Sequence, residues 1–104
     1  MIEKNAEILK ALGDITRLRI VRVLIGREIC SCEIVPLVGK AQPTVSQHLK
    51  TLLQAGVLES RRDGVNIWYK IKNPDVIEIL GILGIKKLRL ETGNRKTSCI
   101  HEDY

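Results

Sequence analysis

The apolar residues in the first part of the chain recur at the three- and four-residue spacing of an α-helix. This spacing predicts a first helix that Gly13 ends and a second that opens at Asp14 and ends at Gly26. The apolar positions are Ile2, Ala6, Leu9 and Leu12 in the first helix, and Leu18, Val21, Leu24 and Ile25 in the second. Each helix therefore has one face suited to a core.

Two further helices are predicted in close succession. Ser31 is suited to cap a third helix that runs towards Val38 and ends at Gly39. The fourth helix has Gln42 at its cap and Pro43 in its first turn, where a missing N–H is tolerated. Its apolar stripe consists of Val45, Leu49, Leu52 and Leu53. Two helices joined by a few residues, the second with a polar outer face, indicate a helix-turn-helix.

Beyond Val57 the period changes from helical to alternating. The dipeptide Asp63-Gly64 readily takes the positive φ of a type I′ turn, so residues 58–62 and 65–72 are predicted to form a β-hairpin. Ile67, Tyr69 and Ile71 alternate along it with Trp68, Lys70 and Lys72. A two-stranded hairpin directly after such a helix is the wing of a winged helix. The predicted fold is therefore mainly α, with about five helices and a two-stranded wing.

The last predicted helix is apolar on nearly its whole circumference. Asn73-Pro74-Asp75 supplies a cap, a first-turn proline and an acid near the positive end of the helix dipole. The apolar positions are Val76, Ile77, Ile79, Leu80, Ile82, Leu83, Ile85 and Leu88. A helix that is apolar on most sides is buried on most sides, which in so small a protein implies a partner subunit. Residues 1–90 are taken as one domain and 91–104, which lose this periodicity, as a tail.

The composition narrows the classes of partner. Seventeen Lys and Arg against 12 Asp and Glu give a net charge of +5 and a pI near 9.3, which favours a polyanionic partner. No apolar run is long enough to span a bilayer and no signal peptide is recognised, so we expect a cytoplasmic protein with reduced cysteines. An enzyme is not expected, because there is no Ser/His/Asp set and no phosphate-binding glycine loop.

The polar face of the fourth helix carries groups that can contact bases. With the apolar stripe inward, a 100° step per residue turns Gln47, Lys50 and Thr51 outward, with Thr44 and Ser46 on the flanks. His48 borders the buried stripe and is expected to be packed or hydrogen-bonded. The predicted DNA-binding residues are Gln42, Thr44, Ser46, Gln47, Lys50 and Thr51 in the helix, and Arg61 and Arg62 in the wing, where arginines suit phosphates.

Cys30 and Cys32 are separated by a single residue, about ten residues ahead of this helix. Positions i and i+2 lie about 200° apart on an α-helix, so two thiols there converge only if the backbone around Ser31 is not helical. With Ser31 as the cap, Cys30 lies outside the helix and Cys32 in its first turn, where exposed N–H groups favour thiolates. Such a pair can bind a soft metal or form a redox couple.

Taken together, these segments resemble the ArsR/SmtB family of metal-sensing repressors over residues 3 to 90. The matching stretches are residues 11–21, residues 28–34 around the two thiols, residues 42–49, and residues 62–69 of the wing. The resemblance implies a homodimer that represses in the metal-free form and leaves operator DNA when a metal or metalloid binds. It also implies an interface built from the first and last helices, here Ile2, Ala6, Leu9, Ile77, Leu80 and Leu83.

The ligand set departs from the patterns of this family. Arsenic-sensing relatives often carry a third cysteine three residues after the second, where this chain has Val35. The last helix has no histidine, unlike zinc-sensing relatives, and no N-terminal cysteine is present, unlike cadmium and lead sensors. Cys99 and His101 remain as further candidates. Three thiolates suit As(III), Cd(II) or Pb(II), and a Cys₃His set suits Zn(II); no organic cofactor is expected.

Two other functions fit the same residues. A thiol redox switch would use a regulatory disulfide between Cys30 and Cys32, or between either of them and Cys99. A winged helix can also serve as a protein–protein module without an operator, in which case DNA binding would lack sequence preference. The sequence does not decide between metal sensing and redox sensing.

Overall fold

The computed structural model describes residues 1–89, and this part of the chain folds into five helices and three strands. The helices are α1 (Ile2–Leu12), α2 (Ile15–Val23), α3 (Ser31–Val38), α4 (Gln42–Gln54) and α5 (Pro74–Ile82). The strands are β1 (Ile29–Cys30), β2 (Leu58–Asp63) and β3 (Asn66–Ile71). The predicted tail, with Cys99 and His101, lies outside the described residues.

The helix-turn-helix consists of α3 and α4, joined by a turn at Gly39. This glycine has a φ of 76°, a left-handed conformation that residues with a side chain rarely adopt, and its N–H caps α3 by donating to the carbonyl of Val35. Val45, Leu49 and Leu52 of α4 are buried, as their spacing predicted. Both helices pack on α2, and α4 also packs on α1, which fixes the angle at which α4 leaves the core.

The sheet has three strands in the order β1-β3-β2, where the sequence predicted only the two strands of the wing. β2 and β3 form the predicted hairpin around Gly64, and β1 adds two antiparallel pairs, Ile29 with Tyr69 and Cys30 with Trp68. A strand of two residues is too short to show an alternating pattern in the sequence, and only its hydrogen bonding to β3 identifies β1 as a strand. The winged helix-turn-helix fold is otherwise as predicted.

The last helix is shorter than its apolar pattern suggested. α5 ends at Ile82, and the glycine two residues later, Gly84, has a φ of 82°, which stops the helix before Ile85 and Leu88. Those two residues still pack against the core, and Arg27 donates a hydrogen bond to the carbonyl of Leu88. The apolar character beyond Ile82 therefore reflects a segment that folds back on the domain.

No helix within residues 1–89 is long and apolar enough to cross a membrane.

Candidate DNA-binding surface and thiol pair

The outer face of α4 presents the polar side chains that the sequence placed there. Gln42, Thr44, Ser46, Gln47 and Lys50 are all exposed. Thr51 differs, because it is half-buried and its hydroxyl donates to the carbonyl of Gln47 at 3.2 Å. The face therefore offers amide, hydroxyl and ammonium groups in a row, which are the groups that contact base edges in a major groove.

His48 lies at the side of this face and is held from below by Arg17. The Nη1 of Arg17 donates to the Nδ1 of His48 at 3.2 Å, and its Nε donates to the carbonyl of Ala11 at 2.6 Å. Because arginine has no acceptor, Nδ1 must be the unprotonated nitrogen in this contact. Arg17 thus connects the end of α1 to the middle of α4, and His48 is hydrogen-bonded as expected.

Nothing in the sequence indicated that Arg17 has this role. It stands with Arg19 and Arg22 in α2, and arginines at helical spacing are typical of a solvated face. Only the crossing of α2 and α4 brings Arg17 within reach of His48.

Asp14 caps α2 and completes the same contact region. Its carboxylate accepts from the backbone N–H of Arg17 at 3.0 Å and lies 3.9 Å from the Nε2 of His48. The hydrogen bond from the Arg17 N–H, aided by the nearby charge of Arg17, lowers the pKa of Asp14 despite some loss of hydration. The carboxylate therefore remains ionised at the positive end of the α2 dipole, where an anion is stabilising.

The two wing arginines have different surroundings. Arg62 is exposed. Arg61 donates from Nε and Nη2 to the two carboxylate oxygens of Glu28, at 2.9 Å each, and its guanidinium carbon lies 5.6 Å from the centre of the Trp68 ring. Arg61 was predicted to face DNA phosphates, but in this structure its donors are directed at a carboxylate of the same chain.

The Glu28–Arg61 contact shifts both groups towards their charged forms. Hydrogen bonding to Arg61 lowers the pKa of Glu28, and the same hydrogen bond from the other side raises the pKa of Arg61. A second ion pair crosses the hairpin nearby, with the Nζ of Lys70 3.5 Å from a carboxylate oxygen of Glu59. Two positive charges of the wing, those of Arg61 and Lys70, are therefore paired with carboxylates.

Cys30 and Cys32 converge at the junction between β1 and α3. Cys30 is the N-cap of α3, with extended φ and ψ of −81° and 156°, and is only 1% exposed, whereas Cys32 in the first turn is half-buried. The cap is thus Cys30 and not Ser31, which begins the helix. The extended backbone at Cys30 removes the 200° divergence that a continuous helix would impose.

The two sulfurs are in contact, and the Cα atoms of Cys30 and Cys32 are 5.5 Å apart, a separation that a disulfide allows. The reduced state that the sequence predicted stays a prediction, and what the structure shows is that the two sulfurs converge. The physical reason is local, because the strand-to-helix junction aims both Cβ–Sγ bonds at the same point. The same convergence suits a bidentate thiolate chelate once the pair is reduced.

A complete metal site is not found within residues 1–89, where no group of three Cys, His, Asp or Glu side chains converges. Two thiolates fit a soft metal or metalloid in part, since such ions usually take three or four ligands. The remaining predicted ligands, Cys99 and His101, lie beyond the described residues. The donor set within residues 1–89 is therefore two sulfurs, and a metal ion bound there would take its further ligands from elsewhere.

The predicted interface residues divide between the surface and the core. Ile2 and Leu9 on α1, Ile77 on α5 and Leu83 just after α5 are exposed apolar side chains, and Ala6 on α1 is also exposed. Leu80 was predicted to meet a partner, but it is completely buried in its own chain because α5 turns that side towards β3. Ile82, at 85% exposure, is the apolar residue of α5 that the prediction omitted.

Comparison with known proteins identifies the family to which the chain belongs. Residues 14–60 match the family model described as bacterial regulatory protein, arsR family. The chain is 42% identical over 82 residues to an uncharacterised HTH-type transcriptional regulator of Methanocaldococcus jannaschii, a match that covers 78% of this chain and 92% of that protein. It is 33% identical over 92 residues to an arsenical resistance operon repressor of Staphylococcus aureus, covering 88% and 85%.

A solved structure agrees in fold. The homodimeric winged helix-turn-helix DNA-binding domain of a possible ArsR-family regulator from Mycobacterium bovis superposes with a TM-score of 0.74 at 28% identity. The match covers 81% of this chain and 78% of that fragment. These proteins are transcriptional regulators, in agreement with the expectation that the chain is not an enzyme.

Proposed function

Because this chain belongs to the ArsR family of bacterial regulatory proteins, and is a winged helix-turn-helix DNA-binding repressor, we propose that it senses a thiophilic metal or metalloid. Binding at Cys30 and Cys32 would release the protein from its operator. Arsenite is the first candidate inducer, with Cd(II), Pb(II) and Zn(II) as the others. The Staphylococcus aureus arsenical resistance repressor supports this order.

The observation that carries the proposal is the convergence of the two cysteines at the end of β1. The sulfurs meet because Cys30 is extended and Cys32 is helical, and thiolates at a helix N-terminus are favoured by the exposed N–H groups there. A ligand at this junction lies at the start of α3, the helix directly before α4. It therefore acts on the element that positions the outer face of α4.

The DNA-binding face is proposed to be the row of exposed side chains on α4, together with Arg62 of the wing. Gln47 is at the middle of that row and Lys50 is one turn further on, so the two can reach neighbouring bases or phosphates. Arg62 is exposed and suited to a phosphate. Arg61 joins them only if it leaves Glu28.

The active form is proposed to be a homodimer formed through α1 and α5. The apolar residues exposed there form two sets, Met1, Ile2 and Leu9 at the start of α1 and along it, and Ile77, Ile82 and Leu83 on and just after α5. Large exposed apolar side chains grouped on two elements in this way favour an interface. Two copies would present two copies of α4 to the two halves of an operator, which is how dimeric helix-turn-helix proteins bind.

The test is a titration of arsenite, Cd²⁺, Pb²⁺ and Zn²⁺ into the reduced protein bound to its own promoter DNA. We expect release by at least one of these ions, and Cys32→Ser should bind the same DNA without being released. Serine keeps the shape of cysteine but is a far weaker ligand for soft metals. Unchanged induction of the Cys30→Ser, Cys32→Ser double variant would refute the thiol site.

The contribution of the C-terminal residues is tested separately with Cys99→Ser. If Cys99 supplies a third ligand, the affinity for the inducer should fall at least about tenfold, or roughly 1.4 kcal/mol. An unchanged affinity assigns the site to Cys30 and Cys32 with ligands other than Cys99.

A redox-responsive regulator is the second candidate, and the contact between the sulfurs of Cys30 and Cys32 is the observation that favours it. In that case a peroxide would accept two electrons from the two thiols, forming the S–S bond and releasing water, and a cellular thiol would reverse the step. Operator binding measured under a strong non-thiol reductant distinguishes the two. A metal sensor still responds to its ion there, whereas a redox switch does not.

A further inference from the structure

Three side chains lie in one row across the sheet, from the thiol pair to the wing. The register pairs Cys30 of β1 with Trp68 of β3, and Trp68 in turn with Arg61 of β2. Residues directly opposite each other on antiparallel strands project from the same face, with their Cβ atoms about 5 Å apart. Cys30, Trp68 and Arg61 are therefore neighbours on one face, although they are far apart in the sequence.

Glu28 strengthens the connection between β1 and Arg61. It lies two residues before Cys30, so the pleat directs it to the same side of the strand. Its carboxylate holds the Arg61 guanidinium by two hydrogen bonds of 2.9 Å, and the Trp68 ring lies under the same guanidinium at 5.6 Å. Both groups that hold Arg61 are thus attached to Cys30, Glu28 through the chain and Trp68 through the strand pairing.

We propose that this row couples the thiol pair to the wing, with Glu28 and Trp68 acting as positioning residues that control whether Arg61 can contact a DNA phosphate. The proposal rests on the proposed function and adds the wing as a second route for the response, beside the movement of α3 against α4. Displacement of Cys30 shifts β1, and with it Glu28 and the edge of Trp68. When a metal binds the thiols, this shift closes the Glu28–Arg61 pair, so that Arg61 no longer contacts the phosphate.

The direction of the coupling follows from charge. A carboxylate that accepts two donors from a guanidinium competes directly with a phosphate for the same donors. Glu28 is better shielded than Arg61, with 29% of its side chain exposed against 54%, so the carboxylate is the fixed partner and the guanidinium the one that can reorient. Glu28 therefore weakens phosphate binding by Arg61 as long as the pair is closed.

A matched control is available on the same sheet. Glu59 forms an ion pair with Lys70 across β2 and β3, and Glu59→Gln changes the net charge as Glu28→Gln does. Glu59 lies on β2, the strand furthest from β1, and unlike Glu28 it is not close to Cys30 in the sequence. An effect of general wing charge appears in both variants, whereas an effect of the row appears only in Glu28→Gln.

The first experiment measures operator affinity of the reduced protein with and without Cd²⁺, over a range of salt concentrations. For Glu28→Gln we expect tighter binding in the presence of Cd²⁺ than for Glu59→Gln, and a salt slope in Cd²⁺ that is steeper by about one for each Arg61 that keeps a phosphate. The ratio of affinities without and with Cd²⁺ should fall at least about fivefold from the wild-type value, the lower end of typical allosteric coupling.

The second experiment does not need DNA. In the free protein, the NMR resonance of the Arg61 Nε–H group reports its hydrogen bond to Glu28. We expect this resonance to shift when Cd²⁺ is added to the reduced wild type, and to stay in place in the Cys30→Ser, Cys32→Ser double variant. A role of Glu28 in folding alone would not move the resonance on addition of the metal.

The outcomes separate this proposal from the proposed function. If the Arg61 resonance shifts with Cd²⁺ but the operator is not released, the coupling stands and the proposed function fails. If the operator is released while the resonance stays in place and Glu28→Gln keeps the wild-type ratio, the coupling is overturned and the proposed function stands. Equal effects of Glu28→Gln and Glu59→Gln would also overturn the coupling.

Discussion

The outer face of α4 and the wing both present polar side chains to solvent, but they are held in different ways. On α4 the polar side chains from Thr44 to Lys50, other than His48, are exposed. The helix itself is fixed by the buried residues of its opposite face and by Arg17. On the wing, Arg61 is already engaged by Glu28 and Trp68, both of which connect to the thiol pair.

This difference suggests a division of work between the two regions. A helix face of exposed side chains is suited to contact bases, because the groups that read base edges already point into solvent. A wing arginine that must leave a carboxylate is suited to adjust affinity, because its internal contact can be strengthened or weakened. Substitutions in each region test this division.

The largest effect is expected when the proposed dimer is broken, because both regions then lose their second copy. Leu83→Asp places a charge on the exposed apolar surface after α5, and operator affinity should fall by about a hundredfold or more as two linked contacts become one. Sedimentation should show a folded monomer. Ile15→Asp, at nearly the same exposure but on α2, is the control and should remain dimeric.

Leu80→Asp gives the contrast that separates interface from core on the same helix. Leu80 is completely buried, so a charge there should unfold the chain instead of producing a folded monomer. A folded, monomeric Leu80→Asp protein would show that the described packing of α5 is wrong.

The next effect concerns bases. Gln47→Ala removes an exposed amide from the middle of the α4 row and should weaken binding by roughly 1–3 kcal/mol at particular base pairs, with little change for other sequences. Binding to a panel of operators with single base changes measures this. If preference and affinity both survive, the DNA-contacting face of α4 has been assigned to the wrong residues.

A smaller and uniform effect is expected for the wing. Arg62→Ala should weaken binding to all sequences alike and reduce the salt slope by about one for each phosphate that the arginine no longer neutralises. The comparison of α4 with the wing is sharpened if Gln47→Ala changes sequence preference but not the slope, and Arg62→Ala does the reverse. Sequence-dependent losses of affinity in Arg62→Ala would contradict the division.

The smallest effect is a dependence of stability on acid at the start of α2. The pKa of Asp14 is lowered in the folded protein, so its capping contribution is complete above the ordinary aspartate pKa of about 4 and is lost as pH falls through the lower, folded value. Asp14→Asn keeps a capping side chain and should melt with less dependence on pH below about 4. Identical pH profiles of melting temperature would contradict this assignment.

Much of the fold followed from local patterns. The apolar stripe of α4, the Asp63-Gly64 turn and the capping residues before α5 each specify a local structure, because helical period, positive φ and cap chemistry act over a few residues. The outward direction of Gln47 and Lys50 followed from the same stripe by simple helix geometry.

The sequence predictions were wrong where the structure of a segment depends on what that segment packs against. An apolar run from Val76 to Leu88 predicted one long helix, yet Gly84 ends it and the rest folds back on the core. Within that run the sequence could not distinguish Leu80, which faces the core, from Leu83, which faces outward. Both are leucines in a segment that is apolar all round.

By itself the sequence determined which residues could act, namely two thiols near the start of a helix, a polar face on the next helix and basic residues on a hairpin. The tertiary structure decided which of them are brought together. Only the pairing of β1 with β3 places Cys30 beside Trp68 and Arg61, and only the crossing of α2 and α4 brings Arg17 to His48. These are contacts between residues about 30 or more positions apart, and no local pattern specifies such contacts because they depend on how whole elements pack.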